Sequence, residues 1–200
     1  MVKAALQVVV GLGNPGAEYE QTRHNVGFMV LDRLAARYGC QFRKGTGQFL
    51  VARHNLDAHP FLMIKPTTYM NLSGLAVRQV VDYYKIQDYR QLLIVLDDLN
   101  LPFGQLRLRK QGSDGGQKGL RSILQALGTE EVPRLRIGIG NGYSDASRFV
   151  LSPFSSKEKK VLPLILETAA DAVEVTLTQG IETAMNRYNR NVLEEPNQGG

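Results

Sequence analysis

The run Leu6-Gln7-Val8-Val9-Val10-Gly11-Leu12-Gly13-Asn14-Pro15-Gly16 decides how this chain is read. Its apolar first half is a strand, taken here as Leu6–Leu12. The strand passes into a glycine-permissive turn that sets the amide of Asn14 at its end. A little further on, Thr22-Arg23-His24-Asn25 places a histidine where the first long helix begins. Turns and helix starts present polar side chains to a cleft rather than to a core.

Gly11, Gly13 and Gly16 also satisfy the spacing of a dinucleotide fingerprint. That reading needs a helix starting inside the loop, with its N-terminus facing the pyrophosphate. Here Ala17-Glu18-Tyr19-Glu20-Gln21 comes next and brings two carboxylates towards the supposed phosphate. The acid about 20 positions on would be Asp32, which falls inside the first helix rather than after a second strand. The dinucleotide reading is set aside.

Outward from this stretch, strands and helices alternate. A helix is expected over Asn25–Tyr38, with strands at Phe49–Arg53 and Phe61–Ile64 joined through His54-Asn55-Leu56-Asp57. A helix over Leu75–Lys85 precedes the continuous apolar run Leu92–Leu96, a buried strand. Gly104–Lys110 alternates as an exposed strand, Gln117–Leu127 is a short helix and Leu135–Ile139 a strand. Ser155 and Glu158 form a capping-box pattern that opens the last long helix, and Gly180 ends it. Ile181–Asn189 closes the structured part. The pattern predicts an α/β fold: one domain over residues 1–193, a mixed and mostly parallel central sheet, helices on both faces, and a flexible tail over 194–200. In such sheets, sites collect beyond the carboxyl ends of strands. The loops Gly11–Gly16, Pro66–Gly74 and Asp97–Phe103 are therefore expected to converge.

Composition narrows the class. No stretch approaches the roughly 18 apolar residues of a membrane span. The opening residues lack a signal-peptide apolar segment or an Arg/Ser-rich transit segment, so a cytoplasmic protein without a membrane partner is expected. The single cysteine, Cys40, fits a reducing compartment. The formal charge is +5, and its distribution is uneven. Arg107, Arg109 and Lys110 crowd one strand, with Lys118, Arg121, Arg134 and Arg136 soon after. A solvated basic face and a polyanion-binding face both fit this pattern.

Asn14, His24, Asn71 and Asp97 supply one base, one carboxylate partner and two amides. Such a set suffices to hydrolyse an ester with activated water. Asp97 comes directly after the buried strand, where a carboxylate can fix a histidine in one tautomer. His24, at a helix start, is expected to be partly exposed. Asn71 or Ser73 could instead merely cap the next helix. Neighbouring Asp97 and Asp98 suggest Mg²⁺, but no further ligand set accompanies them, so neither metal nor cofactor is expected. No Gly-x-Ser-x-Gly nucleophile motif occurs. The loop Gln111-Gly112-Ser113-Asp114-Gly115-Gly116-Gln117-Lys118-Gly119 leads a basic strand into a helix N-terminus, a setting that suits an anion.

Four ordered segments now carry a resemblance: Val10-Gly11-Leu12-Gly13-Asn14-Pro15-Gly16 with Tyr19; Thr22-Arg23-His24-Asn25-Val26-Gly27; Lys65-Pro66-Thr67-Thr68-Tyr69-Met70-Asn71-Leu72-Ser73-Gly74; and Arg134-Leu135-Arg136-Ile137-Gly138-Ile139-Gly140. Over about residues 6 to 190 the chain resembles the bacterial-type peptidyl-tRNA hydrolases. The resemblance implies a monomeric enzyme that cleaves the ester between a peptide and the 3′-terminal ribose of tRNA, using the acceptor stem and 3′ end. By the same resemblance His24 is the general base and Asp97 its supporting partner. Asn14 recognises the N-blocked aminoacyl group, and Tyr19, Tyr69 and Asn71 contact acceptor end and peptide. Arg109 and Arg136 grip the 5′ phosphate.

Two departures stand out. The family's glycine loop usually reads Gly-Gly-His-Asn-Gly, whereas Gly115-Gly116-Gln117-Lys118-Gly119 puts Lys118 in the substrate-binding asparagine's place. A charged lysine donates but cannot accept a hydrogen bond, so it suits a phosphate or an oxyanion. Asn100 also stands where the family commonly has Asp, with little effect expected. The alternative is a non-catalytic RNA-binding relative of the intron-splicing type, a reading that Lys118 favours and the retained His24–Asp97 pair opposes.

Overall fold

The computed structural model describes residues 5–141 and 143–194. The opening residues 1–4 and, beyond Glu194, the tail expected at the C-terminus lie outside them. In chain order the elements are β1 (Gln7–Gly11), α1 (Val26–Tyr38), β2 (Arg43–Lys44), β3 (Phe49–Leu56), β4 (His59–Pro66), α2 (Ser73–Tyr83), β5 (Leu92–Asp98), β6 (Leu106–Arg109), α3 (Lys118–Leu127), β7 (Arg134–Gly138), α4 (Ala146–Val150), α5 (Ser156–Gln179) and α6 (Ile181–Tyr188). The strands make one mixed sheet in the order β2-β3-β4-β1-β5-β7-β6. Its centre, β4-β1-β5-β7, is parallel. The antiparallel partners β2, β3 and β6 lie on the flanks.

Alternation along the central strands divides the core in two. Val9, Met63, Leu93 and Val95 join the cluster that includes α1, α5 and α6 residues. Val8, Val10, Leu62, Ile64, Ile94 and Leu96 join the cluster that includes α2 and α3 residues. Every residue of β5 is buried, as its unbroken apolar run requires. Helix α1 lies close enough to the sheet that a Cβ on Gly27 would strike the Val95 carbonyl and the Leu12 backbone. That approach draws the start of α1 over the ends of β1 and β5, where the loops meet.

Several expected boundaries shift. The β3–β4 hairpin is longer than the sequence suggested, because pairing continues from Phe49↔Pro66 to Leu56↔His59. Its turn is Asp57-Ala58, with φ of +47° and +68°, a primed turn whose twist suits long paired strands. Helix α2 starts at Ser73, and neither Asn71 nor Ser73 caps it. The Ser73 hydroxyl instead donates to the Met70 carbonyl at 2.7 Å. Helix α4 was not foreseen; Asp145 caps it by accepting from the Arg148 N–H. The capping box at α5 forms as expected between Ser155 and Glu158.

On the β6–β7 ladder, Leu106 and Leu108 face the core while Arg107 and Arg109 are exposed. Arg107 lies opposite Arg136, and Arg109 opposite Arg134. Directly opposed residues share a face, so four arginines stand on one side of this edge.

Candidate active site

The polar residues gather beyond the carboxyl ends of β1, β4 and β5. His24 sits in a 3₁₀ turn, Arg23–Asn25, just before α1. Its Nδ1 is 2.8 Å from Asp97 Oδ2. Asp97 is 1 % exposed, and a carboxylate only accepts, so the hydrogen of this contact belongs on Nδ1. Nε2 is left with its lone pair for the cleft. The ring was expected to be partly exposed. It is instead buried at 9 % and reaches only the cleft.

Asn14 is oriented from three sides. Its backbone N–H donates to Asn25 Oδ1 at 2.8 Å, and its carbonyl accepts from Asn25 Nδ2 at 3.0 Å. Its side-chain Oδ1 accepts from the Met70 N–H at 2.7 Å. An N–H can only donate, so the amide cannot be flipped, and Nδ2 remains as the donor offered to the cleft. These bonds also join the β1 loop to the loop after β4, the convergence expected from the strand order.

The cleft encloses about 490 Å³. Asn14, His24, Asn71 and Asp97 line one part of it, Gly115 to Lys118 another, and Val150 and Leu151 of the α4 region a third. Tyr69 and Asn71 are exposed at its edge. Tyr19 does not line the cleft but sets its ring edge-on to Tyr69, with centroids 6.4 Å apart. Lys118 is exposed, lines the cleft, and has no carboxylate partner among the described residues. No group of three or more His, Cys, Asp or Glu side chains among the described residues could hold a metal ion.

The Peptidyl-tRNA hydrolase family model matches residues 8–196. The chain belongs to the peptidyl-tRNA hydrolase family. It is 50 % identical to a peptidyl-tRNA hydrolase of Chloroflexus aggregans over 91 % of its own length and 98 % of the relative's. Identity to the Carboxydothermus hydrogenoformans enzyme is 48 %, over 92 % and 98 %. The crystal structure of peptidyl-tRNA hydrolase from Acinetobacter baumannii superposes with a TM-score of 0.87 at 34 % identity, covering 94 % of this chain and 96 % of that one. The fold is thus the hydrolase fold, and the reading as a member of an enzyme family stands.

Against that family pattern, the two arginines expected at a phosphate fare differently. Arg109 is exposed and without a carboxylate partner among the described residues. Arg136 is engaged: its guanidinium donates to Asp98 Oδ2 at 3.3 Å, to the Ser113 carbonyl at 2.6 Å and to the Asp114 carbonyl at 3.4 Å. It holds the glycine loop to the sheet. Arg134, fully buried, does the same from below through the Ser113, Val132 and Glu130 carbonyls. Burial first, and then the neighbouring Arg136 charge, push Arg134 down to about 10. Asn100, expected to matter little, donates to the Gly115 carbonyl at 3.0 Å, a bond an ionised Asp could not make.

Sequence reasoning passed over three supporting residues. Asn25 holds Asn14 through both of its amide atoms. Arg23 bonds Ser152 Oγ at 2.6 Å, the Pro153 carbonyl at 2.5 Å and Glu158 at 2.6 Å, and lies over the Phe149 ring. It fixes the turn that carries His24. Gln117 reaches Asp97 Oδ1 through Nε2 at 3.0 Å, while its Oε1 accepts from the Leu120 N–H at 2.8 Å. Two signals were available: Gln117 directly precedes a helix after two glycines, and it stands where the family's loop usually has histidine.

Proposed function

We propose that this chain hydrolyses the ester joining a peptide to the 3′-terminal ribose of tRNA, freeing both for reuse in translation. The observation that carries the reading is His24, held through Nδ1 by Asp97 with Nε2 open to the cleft that the free amide of Asn14 also faces. Half-identical relatives bearing the name of this activity add to it.

In the proposed reaction a water donates its proton to His24 Nε2 as its oxygen attacks the ester carbonyl carbon. The carbonyl π-electrons move onto oxygen, and Asn14 Nδ2 donates a hydrogen bond to that oxyanion. The tetrahedral centre then collapses. The bond to the ribose oxygen breaks, and that oxygen takes the proton back from the imidazolium. Asp97 keeps the ring in one tautomer and stabilises it while charged. Written this way the step uses neither metal nor cofactor. Tyr69 and Asn71 suit the acceptor end and the peptide, with Tyr19 buttressing Tyr69. Lys118 and Arg109 suit phosphates, and Arg136 acts on the substrate by way of the loop it holds. The reading takes residues 1–193 as one hydrolase domain, acting as a cytoplasmic monomer on the acceptor stem and 3′ end.

The test is release of N-acetyl-aminoacyl groups from tRNA. The unmutated protein releases them, and His24→Ala is slower by about a thousandfold in kcat/KM, within the range for losing a general base. If the unmutated protein leaves the ester intact while still binding tRNA, the RNA-binding alternative replaces this reading.

A further inference from the structure

Asp97 is met on both of its oxygens. Oδ2 faces His24, and Oδ1 accepts from Gln117 Nε2 at 3.0 Å. Gln117 is itself buried, and its other amide atom is committed as the cap of α3 through the Leu120 N–H. As with Asn14, that N–H can face only an oxygen, so the nitrogen is obliged to point at Asp97. The site is built tightly around this contact. A Cβ on Gly119 would strike Met70 Sδ and come within 3.0 Å of Gln117 Oε1.

We infer that Gln117 is a positioning residue for the reaction proposed above: it aims the Asp97 carboxylate at His24 and links the base to the start of α3. An unmet Oδ1 in so buried a place would be costly, and the carboxylate could rotate to seek another donor. Gln117 removes that freedom. Being an amide, it does so without a titration of its own. The surrounding charges are otherwise matched or stand apart. Asp98 pairs with Arg136, Asp114 with Arg121 and Arg23 with Glu158. Lys118 stands on the cleft wall, and Asp145 and Arg148 lie at the start of α4. Among the described residues only the imidazole pairs with Asp97. The helix start and the base thus share one side chain. A substrate that orders the glycine loop would, through Gln117, also order the base.

The inference rests on the hydrolase reading, but its test separates from it. Gln117→Glu keeps the capping oxygen and the side chain's shape while setting a carboxylate against Asp97. The variant is expected to fold normally and to lose about twentyfold in kcat/KM at neutral pH. The acid limb of its pH profile should move to higher pH, because a second carboxylate stabilises the imidazolium. Gln117→His supplies the same one donor and one acceptor when neutral, and should recover activity to within about fivefold. Independently of any ester cleavage, the His24 Nδ1–H resonance in ¹⁵N-labelled protein should be sharp in the unmutated chain and broadened in Gln117→Glu. A cap without a positioning role predicts the opposite: Gln117→Glu within twofold in rate, its acid limb unmoved and the resonance unchanged. Any folded Gln117→Glu of that kind overturns the inference. Should Gln117→Glu not fold, a folded Gln117→His that has lost the resonance overturns it equally. If the unmutated protein cleaves nothing, the resonance still decides the positioning while the hydrolase reading falls.

Discussion

Two cavities of similar size occupy opposite ends of the sheet. The cleft at the carboxyl ends encloses about 490 Å³, and a second cavity at the amino ends of β1, β5 and β7 encloses about 540 Å³. Both are lined by polar side chains. The second has Arg90 and Lys110, but Arg90 is paired with Asp88, and Lys110 with Glu182. In the first, buried groups are held by one atom and left open at another: His24 at Nε2, Asn14 at Nδ2. Volume does not distinguish the two ends. The difference is that the first end presents a buried base and a buried donor, each fixed by the fold and left open, whereas the cations of the second are paired.

The comparison can be broken by substitution, beginning where the expected effect is greatest. His24→Ala, with its thousandfold loss, removes the open base. Asn14→Asp comes next. It keeps the oxygen that meets Met70 but replaces the free N–H donor with a second oxygen. A fall of about a hundredfold in kcat is expected for one lost oxyanion donor, measured with substrate in excess. A fall confined to KM would mean that Asn14 binds the ground state only. Lys118→Asn should act more gently. We expect kcat to hold within about threefold, KM to rise, and the slope of log affinity against log salt to become shallower by roughly one unit, as for one phosphate contact. An unaltered slope would remove Lys118 from the tRNA interface. The smallest effect belongs to the other cavity: Arg90→Ala with Lys110→Ala should leave kcat/KM within twofold. Exposed pairs of this kind also contribute little to stability, so the melting temperature should change by only a degree or two.

Much of this contrast was legible in the sequence, for local reasons. The run Leu92–Leu96 could only be a buried strand, so the next residue, Asp97, had to stand at a strand end. Gly11 to Gly16 gave a turn with an amide in it. Ser155 and Glu158 announced a helix start by their spacing. The supporting bonds were not legible, because they join residues far apart in the chain. Nothing near Gln117 says that its nitrogen will meet Asp97, and nothing near Arg23 says that it will meet Glu158. Arg136 looked like a free cation because a sequence shows charge but not the carbonyls that use it. Helix α4 is only five residues long, too short to show a helical period, and its one cue was the cap at Asp145. The β3–β4 hairpin reads short in the sequence because polar residues such as Asn55 suggest a turn, whereas an exposed strand face accepts them readily.

Glu158 Oε2 serves two partners at once. It accepts from the Ser155 N–H at 2.6 Å to close the capping box, and from Arg23 at 2.6 Å. The first turn of α5 and the turn that carries His24 therefore form one cooperative unit, although more than a hundred residues separate them in the chain. Fraying at that helix end removes the arginine's one charged partner among the described residues and loosens the anchor of the base. Amide exchange protection at Glu158 and at Arg23, whose N–H donates to the Ser152 carbonyl at 3.0 Å, should therefore rise and fall together, and an insertion that loosens the start of α5 would be felt as lost chemistry before it was felt as lost fold.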